Sequence, residues 1–209
     1  MGWAFGFLAI ILVVLMVLYR RASGNNASSE TGASNVNLAN LRVTDIQRGD
    51  VVTLNGGGDD YADLSFDVDR TNRYQSSGLE WFEHSGLYNG RRIFVEVVNE
   101  DFVESFVDLA KNAPALGDLG LGEDDLVRMD DSQDRSESCQ FQGHTFRYHD
   151  SQEIGYFQDC AGDGEGYYSW EFREVDGERV ITVEKWEGEP FEVRIARKVN
   201  PNDFEIFRP

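Results

Sequence analysis

The stretch from Tyr167 to Ile195 reads YYSWEFREVDGERVITVEKWEGEPFEVRI, and it decides the fold. Apolar and polar residues alternate on both sides of Asp176-Gly177, which is typical of strands that each bury one face. Asp-Gly between two alternating runs is a strong hairpin signal, because both turn residues must reach positive φ. A second turn at residues 187–190 leads into another alternating run. The stretch therefore predicts an antiparallel β-meander.

Similar patterns extend on both sides of this stretch. Residues 43–54 predict a strand broken at Gly49-Asp50, and Asn89-Gly90 predicts a second hairpin. Residues 112–137 contain proline, several glycines and many aspartates, and they read as a connector with a short helical turn at 123–129. Further alternating segments are 61–68, 79–97, 139–157 and 199–207.

The two halves of the chain resemble each other in order. Trp81-Phe82-Glu83 is followed by an Asn-Gly turn and a strand that ends in Val95-Glu96. Trp170-Glu171-Phe172 is followed by an Asp-Gly turn and a strand that ends in Val183-Glu184. Two copies of one β unit are the simplest interpretation, because two packed sheets share a core that one small meander lacks. Chance resemblance of two tryptophan-bearing hairpins is the alternative.

The predicted fold class is therefore mainly β. It has an N-terminal transmembrane helix and a duplicated antiparallel β-meander or barrel-like domain, with at most one or two short helices. Residues 100–111 stay open, since their apolar spacing is helical whereas the repeat places a strand there. The predicted divisions are a transmembrane helix at 1–21, a flexible linker at 22–40, a first β repeat at 41–113, a connector at 114–137 and a second β repeat at 138–209.

Residues 3–19 carry no charge and are almost entirely apolar. Such a run spans about 26 Å as a helix, which suffices for the hydrocarbon core. Trp3 and Tyr19 stand where interfacial aromatics belong, and Arg20-Arg21 follow at once. The positive charge lies on the wrong side for a cleavable signal peptide. We expect an uncleaved single-pass anchor in the cell membrane, with the remainder of the chain in the cytoplasm.

The remainder of the chain is strongly acidic. Beyond Arg21 it carries 38 acidic and 17 basic side chains, a net charge of −21. Such a charge repels phosphate backbones, so a nucleic-acid partner is not expected, whereas cations and basic partners are favoured. Residues 22–40 are rich in Ser, Asn, Gly and Ala, which is typical of a flexible tether.

Residues with catalytic or metal-binding potential form no recognisable motif. The histidines His84, His144 and His149 stand in no serine or cysteine signature, and packing or surface roles are expected. Cys139 and Cys160 end two predicted strands and could face each other across a hairpin, although free thiols are expected in a reducing cytoplasm. The acidic clusters lack the spacing of a calcium loop. No catalytic residue, cofactor or metal is predicted.

Several motifs resemble the DUF4178 family of bacterial proteins. They are F-x-G-x-T-F-x-Y at 141–148, the block from Trp170 to Trp186, and V-N-P-N-D-F-E-I at 199–206. The resemblance implies a β-rich module without an assigned activity. It also implies a link to membrane-stress proteins of the phage-shock type and to polyamine synthase-like enzymes, whose genes often lie nearby. These motifs alone suggest binding roles for Trp81, Trp170, Trp186 and Glu184.

Three functional hypotheses follow. The leading one is a membrane-anchored, non-enzymatic module that binds or regulates a protein partner, such as a membrane-stress protein. The alternative is a sensor of small molecules or cations, with polyamines first, because aromatic faces and carboxylates together hold organic cations. The third is an enzyme of unknown reaction.

Overall fold

The computed structural model describes residues 40–58, 62–99, 103–108 and 114–209. These residues form twelve strands, one α-helix and four short 3₁₀ helices. The 3₁₀ helices are Val43–Asp45, Leu116–Leu119, Gln158–Cys160 and Pro201–Asp203. The other elements are β1 (Val51–Leu54), β2 (Leu64–Asp67), β3 (Arg70–Ser76), β4 (Leu79–Tyr88), β5 (Arg91–Asn99), β6 (Val103–Asp108), α1 (Glu123–Ser132), β7 (Ser138–Phe141), β8 (His144–Phe157), β9 (Glu165–Glu174), β10 (Arg179–Trp186), β11 (Phe191–Val199) and β12 (Phe204–Phe207).

Eight antiparallel strands form a closed barrel. Their order is β3-β4-β5-β6-β11-β10-β9-β8, and β8 pairs again with β3 to close the circle. The closing pairs are Arg73 with Phe157, Tyr74 with Tyr156, and Gln75 with Gly155. The strand β8 also pairs with β7 at its other end, and it carries an irregularity between Tyr148 and Asp150 that bends it between the two partners. The mainly β, barrel-like prediction is confirmed.

The hairpins predicted from the turn residues are present. Asn89 and Gly90 both have positive φ and join β4 to β5 in a tight turn. Asp176 also has positive φ, but Gly177 does not, so the β9–β10 turn is longer than the predicted two-residue type. The strand β3 was not predicted, because its sequence RTNRYQS is polar. Ser77 and Gly78, which have positive φ, turn it into β4.

The apolar face of the barrel wall points outward. Along β5, Ile93, Val95 and Val97 are buried on that face and alternate with residues that face inward. A separate three-stranded sheet, ordered β12-β1-β2, covers this side of the wall. The resulting core includes Leu64 and Phe66 from the small sheet. The barrel is therefore stabilised from outside.

The helix α1 covers the opposite side of the wall. Leu126 and Met129, three residues apart, are fully buried against the outward side chains of β8–β11, among them Phe172 and Ile181. The carboxylate of Asp125 accepts a hydrogen bond from the Gly122 N–H at the start of the helix, where negative charge is favourable. The predicted helical turn at 123–129 is thus confirmed, as part of a longer helix.

The small sheet lies close against the barrel at Gly86 on β4. A Cβ atom at this position would lie 2.0 Å from the carbonyl oxygen of Asp67 and 2.6 Å from Cδ2 of Phe66. Next to it, the Asp69 N–H donates to the carbonyl oxygen of Ser85 at 3.0 Å. Glycine is required here because the backbone of one sheet occupies the place of a side chain on the other.

The structure also bears on the 100–111 region and on the two cysteines. Residues 103–108 form β6, which favours the strand over the helix in the 100–111 region; residues 100–102 and 109–111 lie outside the described part. Cys139 and Cys160 are both free, and they do not face each other, since Cys139 lies opposite Phe146 whereas Cys160 follows the far end of β8. Free thiols were expected, but the opposed placement was wrong.

The predicted membrane span at residues 3–19 lies outside the described residues, as does the predicted linker up to residue 39. Within the described part of the chain, no helix combines the length and the apolar character that crossing a membrane requires.

Candidate functional site

The interior of the barrel is polar and aromatic. Its deeper part, here called the lumen, is a narrow cavity of about 90 Å³. It opens into a wider recess of about 910 Å³, here called the mouth. Five residues line both spaces and mark the boundary between them: Tyr74, Phe94, Asp108, Glu184 and Arg194.

Arg194 on β11 lies at the centre of this boundary. It donates a hydrogen bond to Oε2 of Glu83 at 2.9 Å, and its guanidinium nitrogens lie 3.5 Å from Glu184 and 3.7 Å from Asp108. Its guanidinium also lies over the Phe94 ring, 4.9 Å from the centroid. Burial alone would lower the pKa of Arg194, but the charges of Glu83 and Glu184 outweigh it and raise the pKa, so the guanidinium stays charged. One cation is thus shared by three carboxylates.

Negative charge exceeds positive charge throughout this interior. Among the described residues that line the lumen and the mouth, ten are carboxylates and two are arginines, Arg70 and Arg194. The carboxylates are Glu83, Glu96, Asp108, Asp150, Glu165, Glu171, Glu184, Glu187, Glu189 and Glu192. A concave surface with low-dielectric walls and one sign of charge concentrates counter-ions. The interior therefore favours a positively charged guest.

Five aromatic rings form a continuous cluster beside these carboxylates. Tyr74 stacks on Trp81 with centroids 5.7 Å apart, and Tyr167 stacks on Trp186 at 4.4 Å. Tyr156 joins the two pairs, 5.3 Å from Tyr74 and 5.5 Å from Trp186. The indole N–H of Trp186 donates to Oε2 of Glu184 at 3.3 Å. Aromatic faces next to carboxylates are the surroundings in which proteins hold alkylammonium groups.

Two carboxyl groups of the lumen, those of Glu96 and Glu184, have raised pKa values. Burial raises the pKa of Glu96 to about 8, and Arg194 only partly opposes this effect. Burial also raises the pKa of Glu184, against the influence of Arg194 and of the Trp186 hydrogen bond. Strongly perturbed carboxyl groups that converge in a cavity are typical of functional sites.

The structure places three of the four motif-predicted binding residues together. Trp81 and Glu184 line the lumen, and Trp186 lies at the mouth. Trp170 lies on the outer face of the wall instead, where its indole N–H donates to the carbonyl oxygen of Leu126 in α1 at 3.0 Å. Trp170 is thus a core residue and takes no part in this site.

The strand register also bears on the match between Trp81 and Trp170 that the sequence suggested, because it aligns Trp81 with a different residue. Glu96 lies opposite Glu83, whereas Glu184 lies opposite Ser169. If Glu96 corresponds to Glu184, the inward-facing counterpart of Trp81 is Tyr167. The duplication itself stays a prediction, although each half of the barrel is a meander of four strands.

A second cavity, of about 470 Å³, lies outside the barrel wall. It is lined by residues 44 and 46–48, by outward side chains of β3–β5 such as His84, and by Asp159 and Cys160. Burial lowers the pKa of His84 to about 4, so its imidazole is neutral near pH 7, and its Nδ1 lies 3.1 Å from Oγ1 of Thr71. Burial raises the pKa of Cys160, so its thiol is not activated as a nucleophile.

Among the described residues, no group of three or more His, Cys, Asp or Glu side chains is arranged to hold a metal ion. The lumen carboxylates are spread along different strands and around Arg194.

The fold and the site define a closed eight-stranded antiparallel barrel with an acidic, aromatic interior. The chain belongs to the family described as Domain of unknown function (DUF4178), which it matches over residues 47–201. This range contains all eight barrel strands and confirms the resemblance seen in the motifs. No curated protein and no solved structure matches the chain.

Proposed function

We propose that the barrel is a binding module for an organic polycation of the polyamine class. The observation that carries this proposal is the surplus of carboxylates in the lumen and mouth, where ten acidic side chains face two arginines. A narrow lumen that widens to an open mouth suits a slender chain with ammonium groups at intervals. One end would lie in the lumen, beyond Glu184, and the remainder would run outward past Trp186.

The composition of the same interior supports a binding role. Among the described residues that line the lumen and the mouth, there is no histidine and no cysteine. The two tryptophans and three tyrosines of the aromatic cluster supply flat, weakly polar faces for the methylene segments of a polyamine. The carboxylates supply charge for its ammonium groups, and a positively charged group over an aromatic ring gains about 0.5–2 kcal/mol.

The test is calorimetric titration of the full chain, in neutral detergent, with spermidine at physiological salt. Spermidine is expected to bind, and Glu184→Gln is expected to weaken binding about tenfold, the equivalent of about 1.4 kcal/mol. Glu178→Gln is the matched control, because Glu178 is exposed in the β9–β10 turn and lines neither space. It should leave the dissociation constant within about twofold.

Two outcomes would count against the polyamine proposal. One is the absence of heat, or heat that vanishes entirely in moderate salt, since a purely surface effect of net charge would be screened. The other is an equal loss of affinity in Glu184→Gln and Glu178→Gln, which would assign binding to overall charge and not to the barrel interior.

We also propose that the module is held at the cell membrane and faces the cytoplasm, where it regulates a protein partner such as a membrane-stress protein. The support is the uncharged run at 3–19, followed by Arg20-Arg21 and a polar tether. A reporter fused after Pro209 tests the orientation. A fluorescent protein should glow there, and alkaline phosphatase should be inactive. An active phosphatase at that end would reverse the orientation, and recovery of the fusion in the soluble fraction would remove the anchor.

A further inference from the structure

We propose that the empty lumen holds a proton on Glu96, and that binding of a cationic ligand releases it. This inference rests on the proposed function. It adds that a proton leaves the site when the cationic ligand enters. Two geometric facts support it, namely the position of Glu96 in the barrel and the way in which Arg194 is shared.

Glu96 lies in the middle of β5 and faces inward. It is directly opposite Glu83 on β4 and opposite Phe106 on β6. Its side chain is partly buried and lines the lumen. Among the described residues, no side chain forms a hydrogen bond or an ion pair with the Glu96 carboxyl group, whereas the neighbouring Glu83 carboxylate accepts hydrogen bonds from both Asn72 and Arg194. Glu96 is therefore a deep carboxyl group without a direct partner.

The walls around Glu96 supply more negative than positive charge. Glu83 faces it from β4, Glu171 from β9, Glu184 from β10 and Asp108 from β6. Arg194 on β11 is the one cation that lines the lumen among the described residues, and its contacts are taken by Glu83, Glu184 and Asp108. Tyr74 on β3 and Asp150 on β8 also line the lumen.

A carboxyl group in these surroundings keeps its proton. Burial, with the charges of Glu83, Glu171 and Glu184, raises the pKa of Glu96 to about 8, and Arg194 opposes this shift only in part. The group is thus mostly neutral in the empty protein at pH 7. An ammonium group that enters the lumen favours the charged carboxylate, so the pKa falls and the proton leaves for solvent.

This exchange makes affinity depend on pH in a defined direction. In the range where the empty site is protonated and the occupied site is not, binding releases one proton, so affinity rises as pH rises. The rise approaches tenfold per pH unit and ends near pH 8, where the empty site loses its own proton. Between pH 6 and pH 7.5, spermidine should therefore bind about twentyfold more tightly at the higher pH.

The release is measured by calorimetry of the full chain with spermidine at pH 7, in phosphate and in Tris. These buffers differ in the heat that they give on taking up a proton, so the difference in observed heat counts protons. Close to one proton is expected for the native protein. Glu96→Gln keeps the shape but cannot ionise, and it should release none and bind with little dependence on pH. Glu178→Gln, in the exposed β9–β10 turn, also removes one carboxylate but lines neither space, and it should still release the proton.

The outcomes separate this inference from the proposed function. Binding without proton release, or equal release from native protein and Glu96→Gln, would overturn the exchange and leave polyamine binding intact. If spermidine does not bind at all, carboxyl NMR of the empty protein still decides whether the proton is held. A resonance that titrates near pH 8 and is missing in Glu96→Gln supports the proton on Glu96, and titration near the ordinary value for glutamate overturns it.

Discussion

Arg194→Met is expected to lower the free energy of unfolding by about 3 kcal/mol or more at pH 8. The methionine retains much of the apolar stem but removes the cation that Glu83, Glu184 and Asp108 share. Glu83 and Glu184 are almost fully buried, with 3% and 7% of their side chains exposed, so water cannot replace the lost partner well. Urea unfolding, followed by tryptophan fluorescence, measures the change.

The pH dependence of this loss identifies its cause. At pH 5 the carboxyl groups left without Arg194 can take up protons, so the loss should be much smaller than at pH 8. Arg194→Lys is the matched control. It keeps the positive charge but lacks the planar guanidinium that spans three carboxylates and lies over the Phe94 ring, so a loss of about 1–2 kcal/mol is expected. An equal loss at both pH values for Arg194→Met would show that the arginine contributes packing and not charge.

Gly86→Ala is expected to destabilise the protein by about 3 kcal/mol or more through overpacking. The added methyl group would lie 2.0 Å from the carbonyl oxygen of Asp67, which is backbone and cannot rotate away. The small sheet would have to move off the barrel wall, and the core around Phe66 would open. Thermal and urea unfolding measure the loss.

Gly117→Ala provides the matched control for Gly86→Ala. Gly117 lies in the 3₁₀ helix Leu116–Leu119, and an added methyl group there would meet no other heavy atom within 4 Å. This variant should change the free energy of unfolding by less than about 0.5 kcal/mol. Equal stability of Gly86→Ala and the native protein would mean that the small sheet is free to shift against the barrel.

The hairpins were predictable because their signals are local. Asn89-Gly90 and Asp176-Gly177 are turn residues between alternating runs, and such patterns act over a few positions. The strand β3 gave no such signal, because its wall position is set by its partners β4 and β8 and not by apolar residues. Closure of the meander into a barrel depends on the β3–β8 pairing, which joins residues about 80 positions apart in sequence.

The candidate site was only partly predictable, because alternation shows which residues share a face but not where that face points. Both faces of these strands carry large side chains. Trp81 and Tyr167 face inward with the glutamates, whereas Trp170 and Phe172 face the helix. The sequence comparison of Trp81 with Trp170 was out of register by an odd number of residues, and such a shift moves a side chain to the other face. Arg194 and its three carboxylate partners lie on four different strands. A local sequence pattern therefore cannot predict their contact.

The two halves of the barrel are joined less firmly to each other than within themselves. Among the described residues, three pairs connect β3 with β8 and four connect β6 with β11, whereas seven pairs join β3 with β4 and seven join β9 with β10. Opening of the barrel along these two seams would break the fewest of the described backbone pairings. Tyr74 and Tyr156 face each other across the β3–β8 seam. A guest that contacts both rings would therefore connect the two halves of the barrel and stabilise the closed form.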